Sequence, residues 1–347
     1  MIPGGMGETE GTEQIEKQIR AAIAAGRARP DGGPVFLGPN CMGIQSRPGR
    51  YDTFFIPQSK LDTRWTAPAR RVTLISQSGA FIVSRLSNLE TLDPALTISL
   101  GNQIDLSIAD LVQVVGERAD IDVIGVYVEG FADLDGLDFV RAVRSVTAAG
   151  KVVVFYKAGR TPSGRSAAAG HTASVAGDYD VCTAAAANAG AIVVESFKAW
   201  EQLVDLATAL HGKPLPAEAP AIPRLGAVSN AGFETVGMAD AVLGADYQLE
   251  MAVLSVEARE RLVSALTTHK LNKLVNARNP LDLTPMANEQ AYEDCLRVLL
   301  DSPEVDALVA SLVPLTPAML TTQPVKINSE TKNPEARMDL FIVLMTM

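Results

Sequence analysis

The chain has 347 residues, 47% hydrophobic and 20% charged, the make-up of a globular protein long enough for two domains or more. A net charge of −10 argues against a broad nucleic-acid surface, although helix N-termini can still bind small anions locally. The three cysteines (Cys41, Cys182, Cys295) and three histidines are scattered, with no CxxC pair, so neither a disulfide framework nor a metal site is indicated; no apolar run reaches membrane-span length and no secretion signal opens the chain, which makes the cytoplasm the expected location.

The opening MIPGGMGETEGTE holds Gly4, Gly5, Gly7 and Gly11 with no strand before them, so it lacks the strand–GxGxxG–helix order of a dinucleotide fingerprint. Apolar spacing predicts a helix over Gln14–Gly26 and a short strand over Val35–Leu37, followed by the tight loop Gly38–Gly43. Tyr51–Arg70 reads as an irregular connection. Regular alternation follows, with strands at Arg71–Ser76, Leu96–Leu100, Val123–Val128, Val152–Tyr156 and Ala191–Val194. The intervening helices are predicted at Phe81–Leu89, Ile108–Val115, Leu137–Ala149, Tyr179–Asn188 and Ala199–Leu210. This is the grammar of a parallel sheet covered on both faces.

Four prolines in Pro214–Pro223 mark a linker. A second unit repeats the grammar: strand Leu225–Ser229, turn Asn230–Gly232, helices Phe233–Leu243, Glu257–Leu266 and Glu289–Leu300, a loop at Asn279–Asp282, and strand Ala307–Val313. From Gln323 the alternation stops. The expected fold class is α/β, with two doubly wound, flavodoxin-like parallel-sheet domains.

The chemistry is expected at the carboxyl ends of strands. The stretch Ala158–Asp180 follows the fourth strand as a loop of small residues around His171, an imidazole that can be uncharged and nucleophilic at neutral pH. A lone histidine is more often a surface or capping residue, so position alone does not make it catalytic. Its context is suggestive: Ser78–Gly79 and Asn230–Ala231–Gly232 open helices whose free N–H groups favour an anion, and Glu129 ends the neighbouring strand, where a carboxylate could orient an imidazole. Neither GxSxG nor GxxxxGK[ST] occurs, against a serine hydrolase and a P-loop enzyme.

The motifs GPNCMG at 38–43, ISQSGAF at 75–81, SLGNQIDLSIADL at 99–111, YVEG at 127–130, KAGR at 157–160, GHTASVAGD at 170–178, SNAG at 229–232 and NPLDLT at 279–284 run in one order over most of the chain. In these the chain resembles the NDP-forming acyl-CoA synthetases, that is, the ADP-forming acetate–CoA ligases and their relative succinyl-CoA synthetase. The resemblance implies that acyl-CoA, phosphate and ADP are converted to acid, CoA and ATP through an acyl phosphate and a phosphohistidine at His171, oriented by Glu129. It implies phosphate binding by Ser78, Gly79, Asn230, Ala231 and Gly232, and CoA or acyl binding by Asn40 and Cys41. It further implies coenzyme A, phosphate and ADP/ATP as substrates, Mg2+ carried with the nucleotide on an ATP-grasp partner, and an oligomer.

On this reading residues 1–66 are a remnant of a CoA-binding Rossmann domain, 67–213 the phosphohistidine domain, 214–223 a linker, 224–322 a second flavodoxin-like domain and 323–347 an atypical tail. The CoA-binding domain is expected before residue 1, and no ATP-grasp domain is expected within the chain. Glu234 stands in the first turn of the helix after Asn230, where it either opposes a phosphate or points aside. A second reading is a degenerate, non-catalytic CoA- or acyl-CoA-binding or scaffold protein; a flavin-binding redox domain fits less well, because only 5% of residues are aromatic.

Overall fold

The structure, a computed structural model, describes residues 4, 11–63, 65–89, 92–132, 134–171, 178–212, 222–244, 247–313, 316–319 and 341–345. The chain divides into two compact units, residues 1–211 and 212–347. Most of the predicted linker, and residues 323–340 and 346–347 of the predicted tail, lie outside the described residues. Among the described residues no helix is long and apolar enough to cross a membrane.

The first unit opens with helix α1 (Glu13–Arg27), which buries none of its residues and is fastened by Arg20, donating to the Ile104 carbonyl at 3.1 Å, and by the Arg27–Asp105 ion pair at 2.5 Å. Strands β1 (Gly43–Ser46), β2 (Tyr51–Asp52), β3 (Arg70–Ser76), β4 (Pro94–Ser99), β5 (Val123–Val128), β6 (Val152–Lys157) and β7 (Ile192–Val194) form one seven-stranded sheet in the order β2-β1-β4-β3-β5-β6-β7. From β4 to β7 the pairing is parallel, whereas β1 runs antiparallel to β4 and β2 antiparallel to β1. The parallel part has the flavodoxin-like 2-1-3-4-5 order, whose direction of winding reverses between β3 and β5.

Every residue of β5 is buried, as a central parallel strand covered on both faces requires. On one face, Ile98, Val126 and Phe155 pack with residues of helices α3 (Ile108–Gly116), α4 (Asp135–Ala148) and α6 (Tyr179–Asn188), including Val112, Phe139, Val143 and Ala186. On the other, Leu74, Tyr127 and Val154 pack with Phe81 and Ile82 of α2 (Gly79–Asn88) and Trp200 and Val204 of α7 (Phe197–Leu210). A Cβ on Gly125 would stand 2.7 Å from Trp200 Cζ2, so the glycine in this central strand is the space the indole fills. Helix starts are sealed by side chains: Ser107 and Asp110 form a capping box on α3, and Ser78, Asp178 and Ser196 cap α2, α6 and α7.

Several expectations are corrected. Residues 35–37 are not a strand: Pro34 precedes them, Gly38–Pro39 is a cis peptide after them, and the Phe36 N–H donates to the Asp105 carboxylate at 2.8 Å rather than to a neighbouring strand. Gly43, read as the end of a loop, opens strand Gly43–Ser46, and Tyr51–Asp52, read as irregular, is a short strand; β4 offers β1 an edge, and β1 in turn pairs with β2. The stretch leading to His171 is helical over Pro162–His171 (α5), with proline at its first position and alanines along it, residues that suit a helix. Val123–Val128, Tyr179–Asn188 and Glu289–Leu300 match their expected bounds to the residue.

In the second unit β8 (Arg224–Ser229) pairs in parallel with β9 (Glu250–Met251), β10 (Leu281–Asp282) and β11 (Ala307–Ser311), and β12 (Phe341–Met345) runs antiparallel to β11. β10 lies inside the predicted loop Asn279–Asp282. Helices α8 (Gly232–Asp240), α9 (Val256–Thr268) and α10 (Glu289–Leu300) follow β8, β9 and β10; Leu262, Leu266, Tyr292, Cys295 and Leu299 from the last two meet Val228 and Leu308 in the core.

Candidate functional site

The winding of the first sheet reverses at the carboxyl ends of β3 and β5, the position where open α/β sheets leave a crevice for ligands. Register places Ser76 beside Tyr127, so Gln77–Ser78–Gly79 and Glu129–Gly130 emerge side by side. Ser78 is the N-cap of α2, its Oγ accepting from the Phe81 N–H at 3.2 Å, and the helix start presents the positive end of its dipole here.

Glu129 is anchored through all of its backbone polar groups. Its N–H and that of Gly130 donate to Gln77 Oε1 at 2.8 and 3.1 Å. Its carbonyl accepts from Lys157 Nζ at 2.7 Å, and the Gly130 carbonyl accepts from Gln103 Nε2 at 3.1 Å. Gln77, Gln103 and Lys157 are all buried. The Glu129 carboxylate accepts from the Tyr127 hydroxyl at 3.1 Å, and the Tyr127 ring stacks on Phe81 with centroids 4.0 Å apart. Burial, then the charge of Glu129, raises the Tyr127 pKa, so the hydroxyl stays a donor. Burial pushes the Lys157 ammonium below its usual range, while the Ala158 carbonyl also accepts from it at 2.7 Å.

The Gly38–Met42 loop reaches the same edge. The Asn102 N–H donates to the Pro39 carbonyl at 2.9 Å, the Ile104 N–H to that of Gly38 at 3.1 Å, and the Met42 N–H to Ser99 Oγ at 3.0 Å. Gly101 has φ +71°, and a Cβ there would lie 2.0 Å from the Pro39 oxygen, so the approach of the two loops demands glycine. Met42 Cε stands 3.0 Å from where a Cβ on Gly79 would be, which brings the Asn40–Cys41 loop to the start of α2. Asn40 is exposed with φ 53°, and Cys41 is buried, its thiol 3.7 Å from the Leu37 carbonyl. His171 ends α5; its side chain, and residues 172–177, lie outside the described residues.

The second helix start is differently furnished. Asn230 is buried and its amide is engaged within its own unit: Oδ1 accepts from the Val313 N–H at 2.8 Å and Nδ2 donates to Thr316 Oγ1 at 3.1 Å. The Ala231 N–H donates to Ser229 Oγ at 3.1 Å, and the Ser229 hydroxyl donates to Glu234 Oε2 at 2.5 Å. Asp282 Oδ2 lies 2.9 Å from where a Cβ on Gly232 would be. Two carboxylates therefore line the start of α8, that of Glu234 folded back onto Ser229 at the end of β8.

Gln77, Gln103 and Lys157 were not singled out by sequence, although they stand inside the SQSG, GNQID and KAGR motifs. For Gln77 and Lys157 the available signal was a polar residue at the end of an apolar strand; Gln103, in the loop after β4, carried none beyond its motif. Among the described residues no group of three or more His, Cys, Asp or Glu side chains could hold a metal ion.

A model of the succinyl-CoA ligase like flavodoxin domain matches residues 69–210. The chain is 31% identical over 327 residues to subunit alpha of the ADP-forming acetate–CoA ligase II of Pyrococcus furiosus, covering 92% of this chain and 64% of that protein. It is 30% identical over 284 residues to the ADP-forming acetate–CoA ligase I of Archaeoglobus fulgidus, covering 81% of this chain and 38% of the relative. It thus spans just under two thirds of the length of the first and about two fifths of the second. Among solved structures, the dinucleotide forming acetyl-coenzyme A synthetase 1 of Ca. Korarchaeum cryptofilum, in complex with phosphate and ADP, superposes with a TM-score of 0.69 at 27% identity, covering 90% of this chain and 61% of that one.

Proposed function

Because the chain belongs to the NDP-forming acyl-CoA synthetase family, we propose that it is the part of such an acid–thiol ligase that makes an acyl phosphate and carries its phosphoryl group on His171. An oxygen of inorganic phosphate attacks the thioester carbonyl of acyl-CoA; the C–O bond forms, the C–S bond breaks, and CoA leaves as the thiol after taking a proton. The His171 nitrogen then attacks phosphorus and releases the carboxylic acid, and the phosphoryl group passes to ADP on an ATP-grasp partner, giving ATP. Such a transfer depends on positioning and on stabilising negative charge.

The observation that carries this reading is the four-point anchoring of the Glu129–Gly130 backbone beside the α2 start at the sheet's switch point. Glu129 orients the imidazole, Ser78 and Gly79 hold the phosphate, and Asn40 and Cys41 lie by the thioester. In this reading the nucleotide and its Mg2+ belong to the partner, and the reaction is a cytoplasmic one. The proposed substrate is a small carboxylic acid, as acetate is for the two relatives described above. A second reading, a binding protein that has lost the chemistry, is favoured by one feature: Glu234 folded onto the α8 start through Ser229.

The deciding experiment supplies radiolabelled ATP and an ATP-grasp subunit. Label on His171, abolished by His171→Asn, supports the enzyme; no label on folded protein with an active partner supports the binding protein.

A further inference from the structure

Gln77 has one oxygen and two demands on it. Oε1 accepts from the N–H groups of both Glu129 and Gly130, at 2.8 and 3.1 Å. Two donors facing one end of the amide fix which end is oxygen, since a flipped amide would set N–H against N–H. The other end bears the consequence: Nε2 is buried without a hydrogen-bond partner among the described residues. An unpartnered buried amide nitrogen is unfavourable, and such groups concentrate where geometry serves a function. The backbone of Gln77 is also held, its N–H donating to the Tyr127 carbonyl and its carbonyl accepting from the Gly101 N–H, both at 3.1 Å. One residue therefore joins the end of β5, the turn into α2 and the loop that carries Gly101.

We propose that Gln77 is a positioning residue of the phosphohistidine site: its amide oxygen ties the Glu129–Gly130 backbone to the start of α2, so that carboxylate and helix N-terminus keep one fixed relation. The proposal rests on the functional reading above. Lys157 and Gln103 hold the two carbonyls of the same dipeptide, but Gln77 alone of the three adjoins the helix start.

The test is a double-mutant cycle with the partner subunit present. Gln77→Met keeps the bulk and removes the acceptor. His171 labelling should slow about ten- to a hundredfold in the unsubstituted chain, as loss of a supporting partner does elsewhere. In a Glu129→Gln chain the same change should add less than about threefold, because the carboxylate being positioned is gone. Equal losses in both backgrounds overturn the proposal. Independently of any label, amide exchange at Glu129 and Gly130 should quicken at least about tenfold in Gln77→Met while that of β6 is unchanged. Unchanged exchange at 129–130 overturns the tie even where labelling falls. A chain that takes no label refutes the phosphohistidine reading, and with it the catalytic part of the proposal, while exchange still decides the tie. If Gln77→Met does not fold, Gln77→Asn, too short to reach, enters the same cycle.

Discussion

The Ser229 hydroxyl donates to Glu234 Oε2 at 2.5 Å, which turns the carboxylate of Glu234 back onto the start of its own helix. An acid in the first turn stabilises an otherwise unfilled N-terminus and opposes any second anion there. Glu234→Gln should therefore tighten the binding of inorganic phosphate by about two- to fivefold, the equivalent of roughly 0.3–1 kcal/mol. Calorimetric titration of the chain with phosphate measures this. Unaltered affinity would show that phosphate does not approach α8.

The packing of the Gly38–Met42 loop on Gly101 makes a second prediction. Alanine at 101 places a Cβ 2.0 Å from the Pro39 oxygen, in a backbone conformation with φ +71°. Gly101→Ala should destabilise the first unit by about 1–3 kcal/mol and lift the loop. Cys41, 5% exposed, should then alkylate faster than in the parent chain. Mass spectrometry localised to Cys41 checks it; unchanged alkylation together with unchanged stability would contradict the packing.

How much of this was legible differs from element to element. Val123–Val128 is apolar at every position but the glycine that admits Trp200, so a buried parallel strand could be read directly. Helix α5 could not, because PSGRSAAAGH has no apolar period to mark a buried face. β1 and β2 are short and partly polar, and become strands because β4 gives β1 an edge to pair with and β1 then gives one to β2. In the candidate site, Ser78 and Glu129 stand at strand ends and were visible for that reason. Gln77, Gln103 and Lys157 were not, since the role of a buried polar residue depends on which distant backbone groups it meets. The Gln77–Glu129 bond spans 52 positions in sequence.

A third prediction concerns pH and the second unit. Asp306 accepts from the Arg224 backbone N–H at 2.7 Å and from its guanidinium at 2.8 and 2.9 Å, locking the starts of β8 and β11 together. The Arg224 hydrogen bonds hold this carboxyl below the usual carboxylate range. A depressed folded-state value means the stabilisation is present above the unfolded pKa of about 3.9 and is lost as pH falls through the lower folded value. Asp306→Asn should cost about 1–2 kcal/mol at neutral pH, the guanidinium being partly exposed, and almost nothing once the parent carboxyl is protonated. Denaturation of both chains followed from about pH 7 downward measures this: the deficit of Asp306→Asn should shrink progressively as pH falls below the unfolded pKa; a deficit that does not shrink would remove the charge from the explanation.

The last prediction grades the residues around the proposed phosphohistidine. Tyr127 touches Glu129 through one hydroxyl bond, at 3.1 Å, while its ring stays fixed by the stack on Phe81. Tyr127→Phe keeps the stack and removes only the donor, so stability should change by no more than about 1 kcal/mol. His171 labelling should fall by several-fold, less than in Glu129→Gln, which strips the charge but leaves a hydrogen-bonding group. His171→Asn should abolish it, since an amide is not a competent nucleophile for this transfer. The bound label in the parent should be labile in acid and stable in base, as a phosphoramidate is, which separates it from a phosphoserine or an acyl phosphate on Glu129 itself. Initial rates of label uptake for the four chains, taken with one preparation of the partner subunit, give the order directly. A Tyr127→Phe chain slower than Glu129→Gln would mean that Tyr127 acts other than through Glu129, and label surviving His171→Asn would mean that the phosphoryl group resides elsewhere.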